Sequence, residues 1–154
     1  MNIEIEYNEL RKKYNKKVIR KFKDMKDRYK NSEGIKENPL IYTVYINEFA
    51  VFETGLTVIE SGTINKEFFM TKGHKHKKPR KEIYMLLKGK GKLLIQSEKA
   101  KTFTLKKNKF YIIPGKSAHR LINTGHEKLE VLTIYSKDSK HDYNFKFKKR
   151  FFKK

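Results

Sequence analysis

Apolar positions follow two rhythms along this chain. Between residues 8 and 30, Leu10, Tyr14, Val18, Phe22, Met25 and Tyr29 recur every three or four positions among lysines. That period predicts an amphipathic helix with a basic outer face. Asn31 to Pro39 gathers Asn, Ser, Gly and Pro and reads as a loop. From Leu40 onward the rhythm shortens. Runs rich in β-branched and aromatic residues stand at 40–46, 55–60, 66–71, 82–87, 92–97, 101–105, 110–113, 119–123 and 129–135. Turn signals separate them, among them Ser61-Gly62, Gly89-Lys90-Gly91, Pro114-Gly115 and Asn123-Thr124-Gly125. Many short strands at close spacing predict an all-β sandwich or barrel. The expected organisation is an N-terminal extension over 1–38 packed on a barrel over 39–144. Residues 145–154, which alternate aromatic and basic side chains, follow as a last strand or a tail.

Composition narrows the chemistry. The 154 residues fit one domain. There is no cysteine, which excludes disulfides, thiolate metal sites and thiol nucleophiles, so any metal ligands must be nitrogen or oxygen. Residues 1–12 hold no apolar core of a secretory signal, and no apolar run reaches the roughly 20 residues that span a bilayer. A cytoplasmic protein without membrane contact is expected. The balance of 38 Lys+Arg against 17 Asp+Glu leaves +21, a field that attracts anions. Phosphorylated metabolites, nucleic acid and anionic surfaces all answer to such a field. The lysines are spread along the whole chain, which also fits a compositional bias. The interleaved Phe145-Lys146-Phe147-Lys148 stretch resembles some single-strand binders but is short. Nucleic acid is therefore not the favoured partner.

The distinctive feature is a constellation of histidines. Three of the five histidines stand as His74-Lys75-His76 and His119, with Glu82 six residues after His76. In a strand, residues i and i+2 share a face, so His74 and His76 point the same way. Glu82 opens the next run, and His119 opens another behind the Pro114-Gly115 turn. Three imidazoles and a carboxylate suit one divalent ion of borderline hardness, with iron(II) the first expectation and manganese or nickel next. Zinc, which favours four-coordination, suits the set less well.

These paired segments resemble the two motifs of the cupin superfamily, which implies a double-stranded β-helix, the jelly-roll barrel. Reading outward, Lys66 to His76, Glu82-Ile83-Tyr84, Leu87 to Gly91, Ala118-His119-Arg120 and His141-Asp142-Tyr143 are similar to the cupin-type phosphoglucose isomerases of archaea and some bacteria. That resemblance implies a homodimer interconverting glucose 6-phosphate and fructose 6-phosphate, with His74, His76, Glu82 and His119 on the metal. It places Thr57, Thr71 and Gly73 on the sugar phosphate. It places Tyr135, His141 and Tyr143 near the sugar, with Glu82, His141 and Tyr135 as catalytic candidates. Strict alternation would put Lys72 rather than Thr71 on the histidine face, so the resemblance requires a break near Gly73. Lys21 to Met25 is similar to a segment preceding the family's barrel, which would make residues 20–30 extended. The chain departs from the family in a loop before Glu82 that is one residue shorter, in Lys116-Ser117 where an aromatic pair is usual, and in Asn144 where glycine is usual. Two other readings fit the residues: another cupin metalloenzyme acting on a different phosphosugar or as an oxygenase, and a non-catalytic binding protein with nucleic-acid-contacting termini.

Overall fold

The computed structural model describes residue 4 and residues 6–154. A 3-10 segment at Tyr7–Arg11 precedes β1 (Lys16–Lys21), and a second at Phe22–Arg28 follows it. Then come β2 (Leu40–Glu48), β3 (Phe52–Ile59), β4 (Thr63–Ile64), β5 (Glu67–Phe68), β6 (Lys75–His76), β7 (Glu82–Lys88) and β8 (Gly91–Gln96). The last are β9 (Ala100–Thr104), β10 (Phe110–Ile113), β11 (Ala118–Asn123), β12 (Leu129–Ser136) and β13 (His141–Asp142). No described helix is long and apolar enough to cross a membrane.

One antiparallel sheet runs in the order β1-β2-β3-β12-β7-β10. A second holds β11-β8-β9. Backbone bonds continue it: Thr71 N–H donates to Leu121 O at 2.9 Å, and His74 and His119 exchange bonds of 3.1 and 2.9 Å. The 71–74 segment leads into β6, whose partner is β13. Ile41 and Ile59 of the first sheet and Leu93, Leu94 and Leu121 of the second are almost wholly buried and belong to one core. The strands are rich in Val, Ile, Tyr and Phe, which fit a pleated surface packed on one face. Between β7 and β8, Gly89 has φ +85°, and a Cβ there would lie 2.4 Å from Lys128 O. Only glycine lets this turn press against the start of β12.

The helix predicted over residues 8–30 does not form. Lys16–Lys21 pairs with β2 instead, Val18 opposite Val44 and Ile19 opposite Thr43. The β-branched pair favours that edge over a helix. Phe22 and Met25, both wholly buried, sit three apart in a 3-10 segment. Three residues per turn puts such a pair on one side, so the apolar spacing is real but its helix is the tighter kind. Asp24 accepts from Lys21 N–H at 2.8 Å and ties its start.

Residues 145–154 lie along the barrel. Phe68 N–H donates to Phe151 O at 3.0 Å and Lys153 N–H to Lys66 O at 2.7 Å, while Phe147 is buried. Arg150 holds the buried Glu67 at 3.0 Å.

Candidate metal centre

Each proposed ligand arrives by a different route. Gly73, at φ +72°, breaks the alternation just before His74. β6 begins only at Lys75, so Thr71, Gly73 and His74 all line the cavity inside the barrel. The required break is therefore present. Glu82 starts β7, His119 lies on β11, and both are almost wholly buried. His141, on β13 directly opposite His76, completes the cluster.

The distances are short. Ligand atoms of His74, His76, Glu82 and His141 all lie within 4.8 Å of one another. Glu82 Oε1 stands 3.0 Å from His76 Nε2 and 4.0 Å from His74 Nε2, and Oε2 stands 2.7 Å from His119 Nε2. The shorter loop before Glu82 does not withdraw it. That loop is fastened at Lys77 and Lys78, whose N–H groups donate to Lys140 O and Ser139 O, and by Arg80 and Lys78 on Asp138. His141 was expected beside the sugar; it stacks on the His74 ring at 3.9 Å, which makes it a fifth group within reach of the centre.

The donor set fits a divalent ion. His76 Nδ1–H donates to Arg80 O at 2.9 Å and His119 Nδ1–H to Ser117 O at 3.2 Å. Carbonyls only accept, so these bonds fix the tautomers and leave both Nε2 lone pairs facing inward. There they meet each other's neighbours and a carboxylate, and Nε2 of His74 lies 3.3 Å from that of His76. Glu82 Oε2 and His119 Nε2 are buried without a hydrogen-bond partner among the described residues. Converging lone pairs around a carboxylate require a cation between them, a proton or a metal ion.

The electrostatics follow from burial and from this crowding. Burial would raise the Glu82 carboxyl, but the imidazoles of His119, His76 and His74 crowded against it hold it well below the usual carboxylate range. Burial, with His119 and His141 adding like charge, lowers the His74 pKa well below the ordinary value. Burial also draws His141 down to about 4. His76 moves the other way: burial lowers it, and the contact and charge of Glu82 together with the Arg80 carbonyl more than offset that.

The rest of the cavity is lined by Thr57, Tyr42, Tyr84, Thr133, Tyr135 and Tyr143, among others. Thr57 comes from β3 of the larger sheet and Thr71 from the segment bonded to β11, and Thr71 Oγ1 accepts from Leu121 N–H at 3.0 Å. Tyr143 OH bonds His141 Nδ1 at 3.1 Å. Tyr135 is buried, and burial beside Glu53 raises its pKa. The sequence reading did not single out Tyr42, Tyr84 and Thr133. Residue parity marks two of them, since Tyr84 is two from Glu82 and Thr133 two from Tyr135.

A barrel of two antiparallel sheets with a His/Glu cluster inside defines a cupin with a candidate metal site. Solved structures agree on the fold. An oxalate decarboxylase from Lactobacillus farciminis in a formate complex superposes with TM-score 0.54 at 21% identity, covering 66% of this chain and 30% of that one. An oxalate oxidase in complex with glycolate gives 0.52 at 15% identity, over 60% of this chain and 46% of that one. The present chain thus spans less than half of each. Within the cupins, the chain belongs to the glucose-6-phosphate isomerase (GPI) family, whose model matches residues 1–151. Similar relatives are the glucose-6-phosphate isomerases of Pyrococcus abyssi and Thermococcus kodakarensis. Each is 40% identical and covers 83% of this chain and 74% of its own length. A putative glucose-6-phosphate isomerase 2 of Rhizobium meliloti is 34% identical over 58% of the chain.

Proposed function

We propose that the chain is a metal-dependent aldose–ketose isomerase that interconverts glucose 6-phosphate and fructose 6-phosphate. The observation that carries this is one cavity lined by His74, Glu82 and His119, with His76 against Glu82, and by Thr57, Thr71, Gly73, Tyr135, His141 and Tyr143. A bound divalent ion, iron(II) first, supplies Lewis acidity toward the sugar's C1 and C2 oxygens. His74, His76, Glu82 and His119 would hold it.

The protein's own groups do the rest. Two threonine hydroxyls and the Gly73 N–H, unshielded by a side chain, receive the phosphate. Tyr135 and Tyr143 orient the open-chain sugar, and His141 carries protons between its oxygens. Glu82 is the one carboxylate lining the cavity among the described residues. In an enediol route it is the base that takes the C2 proton and returns it at C1. In a hydride route no carbon base is needed. Substrate deuterated at C2, turned over in ordinary water, separates the two: washout of label excludes the hydride route.

The decisive assay couples fructose 6-phosphate conversion to glucose 6-phosphate detection, with and without a chelator. Activity is expected to vanish on chelation and to return with iron(II), manganese or nickel. His119→Ala should lower it severely. An unchanged rate after exhaustive chelation refutes the metal-dependent reading.

The outer face of the larger sheet supports a homodimer. Ile83, Phe110 and Ile112 are exposed there, with Met85, Leu132 and Ile134 half-buried beside them. A contiguous apolar face of this kind marks an interface. Ile112→Lys is expected to give a monomer in sedimentation equilibrium.

A further inference from the structure

Alternation along β11 sends Arg120 away from the metal cavity that His119 and Leu121 line. On that opposite side, Arg120 is only 4% exposed. Its guanidinium stacks on the Phe147 ring at 4.1 Å, with Nη1 on Met70 Sδ at 3.0 Å and Nη2 donating to Lys72 O at 2.9 Å. Nε is buried with no hydrogen-bond partner, and no carboxylate among the described residues pairs with the group. A buried guanidinium is ordinarily stabilised by a carboxylate or another anion. Here a carbonyl, a thioether and a ring take that place.

Arg120 lines a second cavity, of about 370 Å³, with Asp27, Arg28, Lys146, Phe147 and Arg150. The charges around it do not cancel. Arg28 donates to Tyr143 O at 2.5 Å and Phe145 O at 2.9 Å, and Nε lies 3.0 Å from Asp27, whose side chain is 66% exposed. Arg150 Nη1 is taken by the buried Glu67 and by Arg28 O. Four cations therefore face two carboxylates, and one of those two looks out to solvent. Burial, with Arg28 and Arg150 adding like charge, draws the Arg120 pKa down to about 10, so the group keeps its proton at neutral pH.

We propose that this cavity is a second anion site, back to back with the metal cavity, that takes phosphate or the phosphoryl group of a small metabolite on Arg120, Arg28, Lys146 and Arg150. Guanidinium forks match tetrahedral oxyanions, and a partly enclosed setting strengthens the attraction. The site does not depend on the isomerase reading. It does touch the same backbone: Arg120 Nη2 holds the carbonyl between Thr71 and Gly73, and a Cβ on Gly73 would meet Phe147 at 2.6 Å.

The test uses the full chain and inorganic phosphate. Arginine Nε–H signals are followed by 15N NMR during titration at constant chloride, and the amides of Thr71 and Gly73 report the metal cavity in the same spectra. The Arg120 Nε–H signal is expected to shift and saturate. Lys146→Glu, a substitution at an exposed position, should weaken that response by about tenfold or more, and Asp27→Asn should strengthen it. A parallel titration with fructose 6-phosphate tells the sources apart: a response to it alone assigns the site to a phosphorylated metabolite, and a response to both assigns it to phosphate generally. An Arg120 signal that stays still in both titrations overturns the proposal, whether or not Thr71 and Gly73 respond. So does a non-saturating drift shared by every arginine, the mark of general ion condensation.

Discussion

Asp138 touches none of the clustered imidazoles, yet it bears on where His76 stands. It binds Arg80 through two bonds of 3.1 and 2.9 Å and Lys78 at 3.2 Å, and Ser136 OH donates to it at 2.6 Å. Arg80 in turn offers the carbonyl that orients His76. These bonds, Arg80 first, hold the Asp138 carboxyl below its ordinary range. A depressed carboxylate contributes stability above its unfolded value, near 3.9, and loses it as pH falls toward the folded value. Asp138→Asn is therefore expected to remove part of the acid dependence of stability below about pH 4, seen in urea unfolding across pH. At neutral pH the same variant should weaken metal binding by about tenfold, the scale of a lost outer support. Gly73 makes a sharper case. With φ +72° and no room for a Cβ, Gly73→Ala is expected to cost about 1–3 kcal/mol in thermal unfolding and to raise KM for the sugar phosphate. His74 and His76 were legible as a pair because their spacing is local. His141 was legible as a site residue but not as a neighbour of His74, since that contact exists only through the pairing of β13 with β6.

At the level of elements, the strands after Leu40 could be read because alternation and turns are written within each segment. Predicted and observed runs from β7 to β12 differ by a residue or so at their ends. The first thirty residues could not be read the same way. An i, i+3 apolar pair serves an α-helix and a 3-10 turn alike, and β1 is a strand only because β2 presents a free edge. The C-terminal segment was ambiguous for a related reason, since its partners at residues 66–68 are about eighty residues distant. Phe147 is its anchor, packed on Arg120 and Phe145. Phe147→Ala is expected to destabilise the protein by about 3 kcal/mol in thermal or denaturant unfolding. A cost within a few tenths of zero would mean that the segment is not docked.

Across the whole molecule, the +21 charge acquires direction once burial is considered. Glu67, Glu82 and Glu130 are all nearly inaccessible, and Glu67 and Glu130 are each paired with an arginine. The surface is thus more uniformly cationic than composition alone implies, while Glu82 is the one carboxylate among the described residues that lines the cavity. A field of this sign acts on approach rather than on the bond-making step, because bulk salt screens exposed charge over about 8 Å at physiological ionic strength and reaches the interior much less. For a dianionic sugar phosphate, kcat/KM is expected to fall by about tenfold from low salt to a few tenths molar potassium chloride, with kcat nearly unchanged. Stopped assays at constant pH and metal concentration check it. If kcat/KM stays flat, the lysines do not steer substrate and the charge is compositional. If kcat falls in parallel, salt acts inside the cavity, on Thr57, Thr71 and Gly73 or on the His/Glu cluster.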